Sequence, residues 1–376
     1  MSKLEKLIQQ YCPDGVEFKT IGEVCVVLTG GEAPDDAIKG KEPFGDCIYP
    51  IYSNGVGENA LWGYASSYKI EKVSVTFSSI GTIGYPTIRK GYYTPIIRLK
   101  VIYPQDDSQL SVYYLKYALE TVEFEKQKSS VPNINANIIK AISIPVPPLP
   151  VQEEIVRVLD AFTELQAELQ AELQKRKEQH KYYREGLLTS FVSTQNINKY
   201  KLGDICELGT GSHNTQDGLK EGAFPFYTRG VDILWLSTYD FDETAIITAG
   251  DGVGVGKVFH YVKGKYALHQ RAYRIVPNQK IVLPRYLYYY FETEFYAYIM
   301  RSSVSSSVTS IRKPMLLDFP VILPSLSDQQ KIVDILDRFD TLTNDLTSGL
   351  PAEMEKRRQQ YEFYRDKLLT FKRKEA

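Results

Sequence analysis

The sequence predicts an α+β protein. Two similar mixed α/β globules are joined by two long helices that form an antiparallel coiled coil, with pseudo-two-fold symmetry. Three observations predict it. Residues 175–189 match residues 356–370 at a constant offset of 181, with 8 of 15 positions identical. Upstream, residues 152–162 match residues 329–339 at an offset of 177, with 6 of 11 identical. Each helical segment follows a glycine- and tyrosine-rich stretch of strand-like composition, so the chain reads globule–helix–globule–helix. A two-fold body suits a two-fold target, and duplex DNA is the commonest such target.

Composition sets the outer limits. A chain of 376 residues is long enough for two or three domains, each with its own core. Apolar content of 43% and charge of 24% are ordinary for a globular protein. Cys12, Cys25, Cys47 and Cys206 have neither metal-ligand nor framework spacing, which predicts reduced thiols and a cytoplasmic location. The first six residues hold no apolar signal region and no run approaches about 18 apolar residues, so neither secretion nor membrane spanning is expected. The net charge of −1 counts against autonomous, tight nucleic-acid binding. Local basic stripes or a partner subunit can supply the missing field.

The expected division is a first globule over 1–147, a helical arm over 148–193, a second globule over 194–325 and a second arm over 326–376. Within the first globule, residues 73–77 and 96–101 have the β-branched and aromatic composition of strands, punctuated by Gly81, Gly84, Pro86 and Gly91. Residues 110–126 place Leu115, Tyr117, Ala118, Leu119 and Val122 at helical spacing, predicting an amphipathic helix. The proline-rich segment 145–150 predicts a stiff, extended, non-helical hinge.

The second globule echoes the first. Residues 201–206 resemble 20–25, residues 225–230 resemble 50–55 at an offset of 175, and 283–300 takes the place of the amphipathic helix. In the arms, Ile155, Leu159, Phe162, Leu165, Leu169 and Leu173 advance by steps of 4, 3, 3, 4 and 4. Ile332, Leu336, Phe339, Leu342, Leu346 and Leu350 repeat those steps. So narrow a stripe predicts a coiled-coil seam, paired within the chain. The first arm also carries a tandem Glu-Leu-Gln-Ala repeat over 164–174. In the second, Gly349 and Pro351 predict a break with Pro351 in a new first turn.

Catalytic signatures fail one by one. The glycine-rich segment 250–258 has the wrong spacing for a phosphate loop and no Ser or Thr after Lys257, so it reads as a tight turn between strands. The carboxylates of Asp14 and Glu17 are too close in sequence for a metal-dependent nuclease. His180, His213, His260 and His269 form no metal-binding pair with the cysteines. No methyltransferase tetrapeptide is present. No catalytic residue, metal or cofactor is predicted.

The junction over 144–156, which runs Ile-Pro-Val-Pro-Pro-Leu-Pro-Val-Gln-Glu-Glu-Ile-Val, resembles the passage from a target recognition domain into a conserved helix in the specificity subunits of type I restriction-modification systems. The arm ends at 183–188 and 364–371, the opening 12–18 and the segment 21–24 are similar to the same family. The resemblance spans the chain in the family's order. The second junction, 319–329, departs from it with two extra residues and fewer prolines. The resemblance implies a non-catalytic subunit whose two globules each read one half of a bipartite, asymmetric sequence in double-stranded DNA. Its helices would set the spacing and dock two modification (methyltransferase) subunits that carry S-adenosylmethionine and methylate adenine. Motor-nuclease restriction subunits would add ATP-dependent cleavage.

Base readout needs donors and acceptors in a groove, and phosphate positioning needs cations or hydroxyls. In the first globule the candidates are Ser53, Asn54, Ser78, Ser79, Thr82, Arg89, Lys90, Lys128, Asn133 and Asn135. In the second they are Thr228, Arg229, Lys257, His260, Lys263, His269, Gln270, Arg271, Arg301, Arg312 and Lys313. Each of these residue types serves more often as a solvated surface group or turn former. The serine-rich run 302–310 fits a phosphate-facing loop and a connector equally well. For subunit docking the candidates are Arg176, Arg184, Arg357 and Arg365, on faces where Glu178 is spaced to pair with Lys181 and Glu362 with Arg365. Two other classes compete. A stand-alone enzyme would need a site this sequence lacks, and a coiled-coil scaffold leaves two large globules unexplained.

Overall fold

In the computed structural model the chain forms two compact units, residues 1–169 with 354–376 and residues 170–353. The structure describes residues 2–79, 84–122, 134–190, 197–302 and 310–375, without the side chains of 189, 190 and 302. The division cuts both arms, so each unit takes a globule together with helix from each arm.

Unit 1 opens with α1 (Lys3–Tyr11), where Ser2 and Glu5 form a capping box. Strand β1 (Phe18–Thr20) leads into α2 (Ile21–Val24) and β2 (Cys25–Thr29), followed by β3 (Ile38–Lys39), β4 (Tyr49–Tyr52) and β5 (Leu61–Ala65). Next come β6 (Ser74–Ser78), β7 (Gly84–Arg89), β8 (Thr94–Pro95) and β9 (Lys100–Pro104), then α3 (Val112–Glu120), α4 (Ala136–Lys140) and β10 (Ser143–Pro145). The strands make a four-stranded sheet in the order β2-β9-β6-β7, a second in the order β3-β5-β4-β8, and a β1-β10 ladder. Core residues Ile21, Phe77, Ile102, Tyr114, Leu115 and Ile144 pack against Val151, Ile155 and Leu159 of α5 (Leu149–Ser190).

Unit 2 follows a similar order with fewer strands: β11 (Asn198–Lys201), α6 (Leu202–Ile205), β12 (Cys206–Thr210), β13 (Phe224–Tyr227), β14 (Leu234–Leu236), β15 (Phe241–Ala249), β16 (Phe259–Leu268) and β17 (Ala272–Pro277). Then follow α7 (Pro284–Tyr290), a π-helical turn (Phe291–Phe295), α8 (Tyr296–Ser302), α9 (Lys313–Leu317) and β18 (Pro320–Leu323). Here one six-stranded sheet runs β12-β17-β15-β16-β13-β14. The difference from unit 1 has a local cause. The ten-residue β16 pairs antiparallel with β15 and, through Ala267 and Leu268, parallel with β13. In unit 1 the same two jobs fall to separate strands, β7 and β8.

Two expectations for the first globule change. Residues 96–101 are not one strand, because β9 starts only at Lys100, after Ile97 and Arg98 adopt left-handed backbone with φ of 52° and 61°. Strands β8 and β9 belong to different sheets, so the chain must turn there. The proline-rich hinge is extended only to Pro148. Leu149 and Pro150 open α5, where a missing N–H costs nothing because the first helical turn has no intrahelical acceptor to satisfy. Of the predicted helix at 110–126, residues 112–120 form α3, Val122 lies beyond its end and 123–126 lie outside the described residues. The glycine-rich 250–258 is the turn between β15 and β16, with Gly252 and Gly256 at positive φ.

The second arm breaks as Gly349 and Pro351 require, giving α10 (Leu326–Asn344) and α11 (Leu350–Leu368). A Cβ on Gly349 would collide with the Thr341 carbonyl oxygen. The second seam stops early: Leu346 is 79% exposed, while Thr343 is buried. What packs instead is an aromatic pair, built once in each unit. Phe162 of α5 stacks on Tyr364 of α11 at 5.4 Å, and Phe339 of α10 stacks on Tyr183 of α5 at 5.5 Å. The anticipated charge pairs are replaced too. Glu362 binds Arg358, Arg365 turns to Asp366, and Glu178 accepts from Gln174.

A buried glutamine anchors each junction. Gln152 Oε1 accepts from the Ser111 N–H at 2.8 Å, while its Nε2 donates to the carbonyls of Gln109 and Pro147. Gln329 makes the equivalent set with Leu283, Ile281 and Pro324. Tyr114 and Tyr286 then donate to the Pro145 and Ile322 carbonyls, and Tyr117 and Tyr289 to Asp160 and Asp337. The second junction's extra residues therefore leave its anchoring intact.

Candidate nucleic-acid interface

Unit 2 brings several of its candidates together where β13 and β16 end side by side. Beyond β13 the chain runs through Thr228 and Arg229, and beyond β16 through His269, Gln270 and Arg271. A groove of about 560 Å³ is lined by Asn214, Thr215, Gln216, Arg229, His269, Gln270 and Arg271. Asp251 lies behind it and organises the cations, with Oδ1 2.6 Å from Arg229 Nη1 and Oδ2 3.0 Å from Arg271 Nη1. Burial pushes the Asp251 carboxyl up, but the two guanidiniums outweigh it and hold it below the ordinary carboxylate value. The carboxylate stays ionised. Each arginine spends few of its five donors on it.

Around that centre the polar groups are oriented. His269 is buried and its Nδ1 accepts from the Arg271 N–H at 2.9 Å, which leaves the proton on Nε2. Burial, helped by Arg229, lowers its pKa and keeps it neutral. Gln270 Nε2 donates to Asn214 Oδ1 at 2.6 Å. His260 Nε2 meets the Gly230 carbonyl at 3.0 Å, and Thr228 Oγ1 accepts from the Gly230 N–H. Lys257 holds its ammonium over the Tyr296 ring, and Lys263 is exposed on β16. Arg301 ends α8, and Arg312 and Lys313 open α9; all three are exposed. Ser310, just before α9, pairs with Asp251 as an isolated bridge.

Unit 1 builds the same frame with different side chains. The Ile96 N–H donates to the Tyr52 carbonyl and Ile97 N–H to Gly31, matching His269 to Tyr227 and Gln270 to His213. Gly31 bridges Ile96 as His213 bridges His269. Asn54 accepts from the Ser79 N–H and donates to the Ile97 carbonyl, Ser78 Oγ donates to the Asn54 carbonyl, and Ser79 Oγ to the Arg98 carbonyl at 2.8 Å. Asn54, Ser78 and Ser79 thus hold the turn in place, and both serines are buried. Ser53 is half-buried, with its N–H on the Ala60 carbonyl. Arg89 lies 4.0 Å over the Tyr52 ring and donates to Thr76, while Lys90 is exposed. Asn135 caps α4 through two backbone N–H groups. Thr82, Lys128 and Asn133 lie outside the described residues, as does most of the serine-rich run.

On the arms, Arg184 is committed inside unit 2, its Nη1 3.0 Å from Glu292. Arg176 pairs with Glu172 and Arg357 with Gln360. Exposed aromatics stand beside them: Tyr182 is 73% exposed and its counterpart Phe363 is 62% exposed, each edge-on to the tyrosine that follows it.

Sequence reasoning missed Ile97, Arg98, Asn214, Thr215, Gln216 and Asp251. Reading 96–101 as a strand hid the first two. Subtracting 173 from Arg271 gives Arg98, and from Gly264 gives Gly91, so a further repeat offset was present to be found.

Two homologous domains, each presenting a fixed turn with exposed side chains at its tip, define a duplicated recognition protein. The family model described as the type I restriction modification DNA specificity domain matches residues 13–177 and again 195–356. The specificity subunit of the Escherichia coli type I restriction enzyme EcoR124I/EcoR124II is 30% identical, covering 100% of this chain and 98% of that protein. A putative type I restriction enzyme specificity subunit of Haemophilus influenzae is 31% identical over 62% of this chain and 65% of its own. In fold, the crystal structure of a type I restriction-modification S subunit from M. genitalium aligns with a TM-score of 0.58 at 17% identity, covering 94% of this chain and 95% of that one. The chain belongs to the type I restriction-modification DNA specificity family. Among the described residues no group of His, Cys, Asp or Glu could hold a metal ion, and no helix is long and apolar enough to cross a membrane.

Proposed function

We propose that this chain is the non-catalytic specificity subunit of a cytoplasmic type I restriction-modification complex, and that each globule reads one half of a bipartite, asymmetric sequence in double-stranded DNA. One observation carries the reading. The same hydrogen-bonded frame is built twice, and its tip holds Ile97 and Arg98 in one copy and Gln270 and Arg271 in the other. A shared frame with unlike tips suits two unlike half-sites, since sequence is read by side chains at base edges while position is set by the backbone. Arg229, Arg271, Arg301, Arg312, Lys257, Lys263 and Lys313 supply cations for unit 2, and Arg89, Lys90 and Arg98 for unit 1. Their number is modest, which fits a subunit that shares its DNA grip with partners.

Those partners are two modification (methyltransferase) subunits, joined by motor-nuclease restriction subunits for cleavage. The exposed pairs Tyr182–Tyr183 and Phe363–Tyr364 recur at equivalent positions, as a dock used twice requires, and aromatic anchors are typical of binding centres. Exchanging residues 198–320 for those of a relative, followed by mapping methylated adenines in the host genome, tests the modular reading. One half of the methylated sequence should change and the other should persist. A change in both halves would refute it.

A further inference from the structure

We infer that one turn is the base-reading device of both units, with Ile97 and Arg98 as the specificity-determining side chains of unit 1 and Gln270 and Arg271 as those of unit 2. The inference rests on the DNA-specificity reading above and narrows it to four side chains and the bases they suit.

The turn is fixed by its backbone, so its side chains are left for contact. In unit 1 the N–H groups of Ile96, Ile97, Arg98 and Leu99 all find carbonyl acceptors, and the Arg98 carbonyl accepts from Ser79. In unit 2 the N–H groups of His269, Gln270 and Ala272 do the same, while that of Arg271 goes to the His269 ring. Packing does not use the tips. Ile97 is 52% exposed, an unusual setting for a large β-branched side chain held in left-handed backbone. Such a residue persists where the surroundings over-determine it, as they do here.

The chemistry of each tip then follows. An exposed isoleucine offers only apolar contact, which among base edges suits the C5-methyl of thymine. Arg98 and Arg271 are exposed guanidiniums, suited to the O6 and N7 acceptors of guanine in bidentate fashion. Arg271 is oriented by Asp251, which takes one of its N–H groups. Gln270 uses one amide N–H on Asn214. Its Oε1 and second N–H remain to accept from adenine N6 and donate to N7. Unit 1 is therefore assigned an A·T pair touched through its methyl and a G·C pair, and unit 2 an A·T pair read through the adenine edge and a G·C pair.

The test uses the full chain assembled with its modification subunits, on duplexes carrying the methylated sequence and every single-base change in it. Gln270→Glu should lose at least about tenfold in binding to the duplex with adenine at one position of the second half-site and gain for cytosine there, whose N4 amine a carboxylate accepts. Arg98→Lys and Arg271→Lys keep the charge but not the fork. Each should reduce discrimination at one G·C pair by about tenfold, a larger loss than on random-sequence DNA. Ile97→Ala should relax one A·T position of the first half-site. Discrimination at wild-type level in all four variants, or an equal loss on every duplex, would overturn the inference. A wild-type complex with no sequence preference at all would instead refute the specificity reading on which it rests.

Discussion

Gln152 and Gln329 are wholly buried amides, each closing three backbone groups at the point where a globule passes into its helix. A buried amide is stable only when its donors and acceptors are used, and here the partners are backbone groups, with the Pro147 and Pro324 bonds fully buried. Gln329→Leu would strand the Leu283 N–H and the carbonyls of Ile281 and Pro324. It should destabilise the protein by about 2–4 kcal/mol in urea unfolding, as should Gln152→Leu in unit 1. A loss under about 0.5 kcal/mol would mean that water takes over the partners. Arg184 shows the same logic for a charge. Its ion pair with Glu292 is three-quarters buried, so reversing it would damage unit 2 rather than report on docking.

α5 is the element whose length matters. It runs unbroken over 42 residues from one compact unit into the other, and the Glu-Leu-Gln-Ala unit at 168–171 spans the division between Leu169 and Gln170. Four helical residues rise about 6 Å and turn roughly 400°, a net rotation of about 40°. One base pair turns DNA by roughly 34–36°. Deleting or duplicating residues 168–171 should therefore alter the unread spacer by about one base pair and leave both half-sites intact, which methylation mapping would reveal. An altered half-site, or an unaltered spacer in an active complex, would rule out this helix as the ruler. The same change in the second arm is expected to affect the spacer less, because helix stops at Asn344 and restarts only at Leu350.

At the scale of the whole molecule, duplication is the organising fact, and a duplicated surface calls for a duplicated partner. Tyr182 and Phe363 are the most exposed aromatics of the arms among the described residues, and the proposed dock would use both. Tyr182→Ala or Phe363→Ala alone should leave a complex with one modification subunit, and the double variant should retain neither at micromolar concentration. Native mass spectrometry reads the stoichiometry directly, and two bound subunits on the double variant would move the dock elsewhere. Single aromatic anchors that become buried on binding carry about 2 kcal/mol or more each, enough to empty a moderate interface.

The sequence by itself determined what periodicity and local chemistry determine. The repeat offsets of 177 and 181 revealed the duplication, Gly349 and Pro351 marked the helix break, and 250–258 read as a turn because its glycines permit positive φ. The family was legible in its junctions because each is one short contiguous string, although Gln152 and Gln329 reach backbone groups more than 40 residues away in the chain. Tertiary structure alone decided which side chains were free to act. Ser78, Ser79 and Asn135 have the right chemistry for contact and spend it on backbone groups, while Arg98 was hidden inside an apparent strand. The seam of the second arm ends at Phe339 because its partner is Tyr183, more than 150 residues away in the chain. A hydrogen-bonding group looks the same in sequence whether its partner is a carbonyl or a base, and only the fold says which carbonyls come within reach.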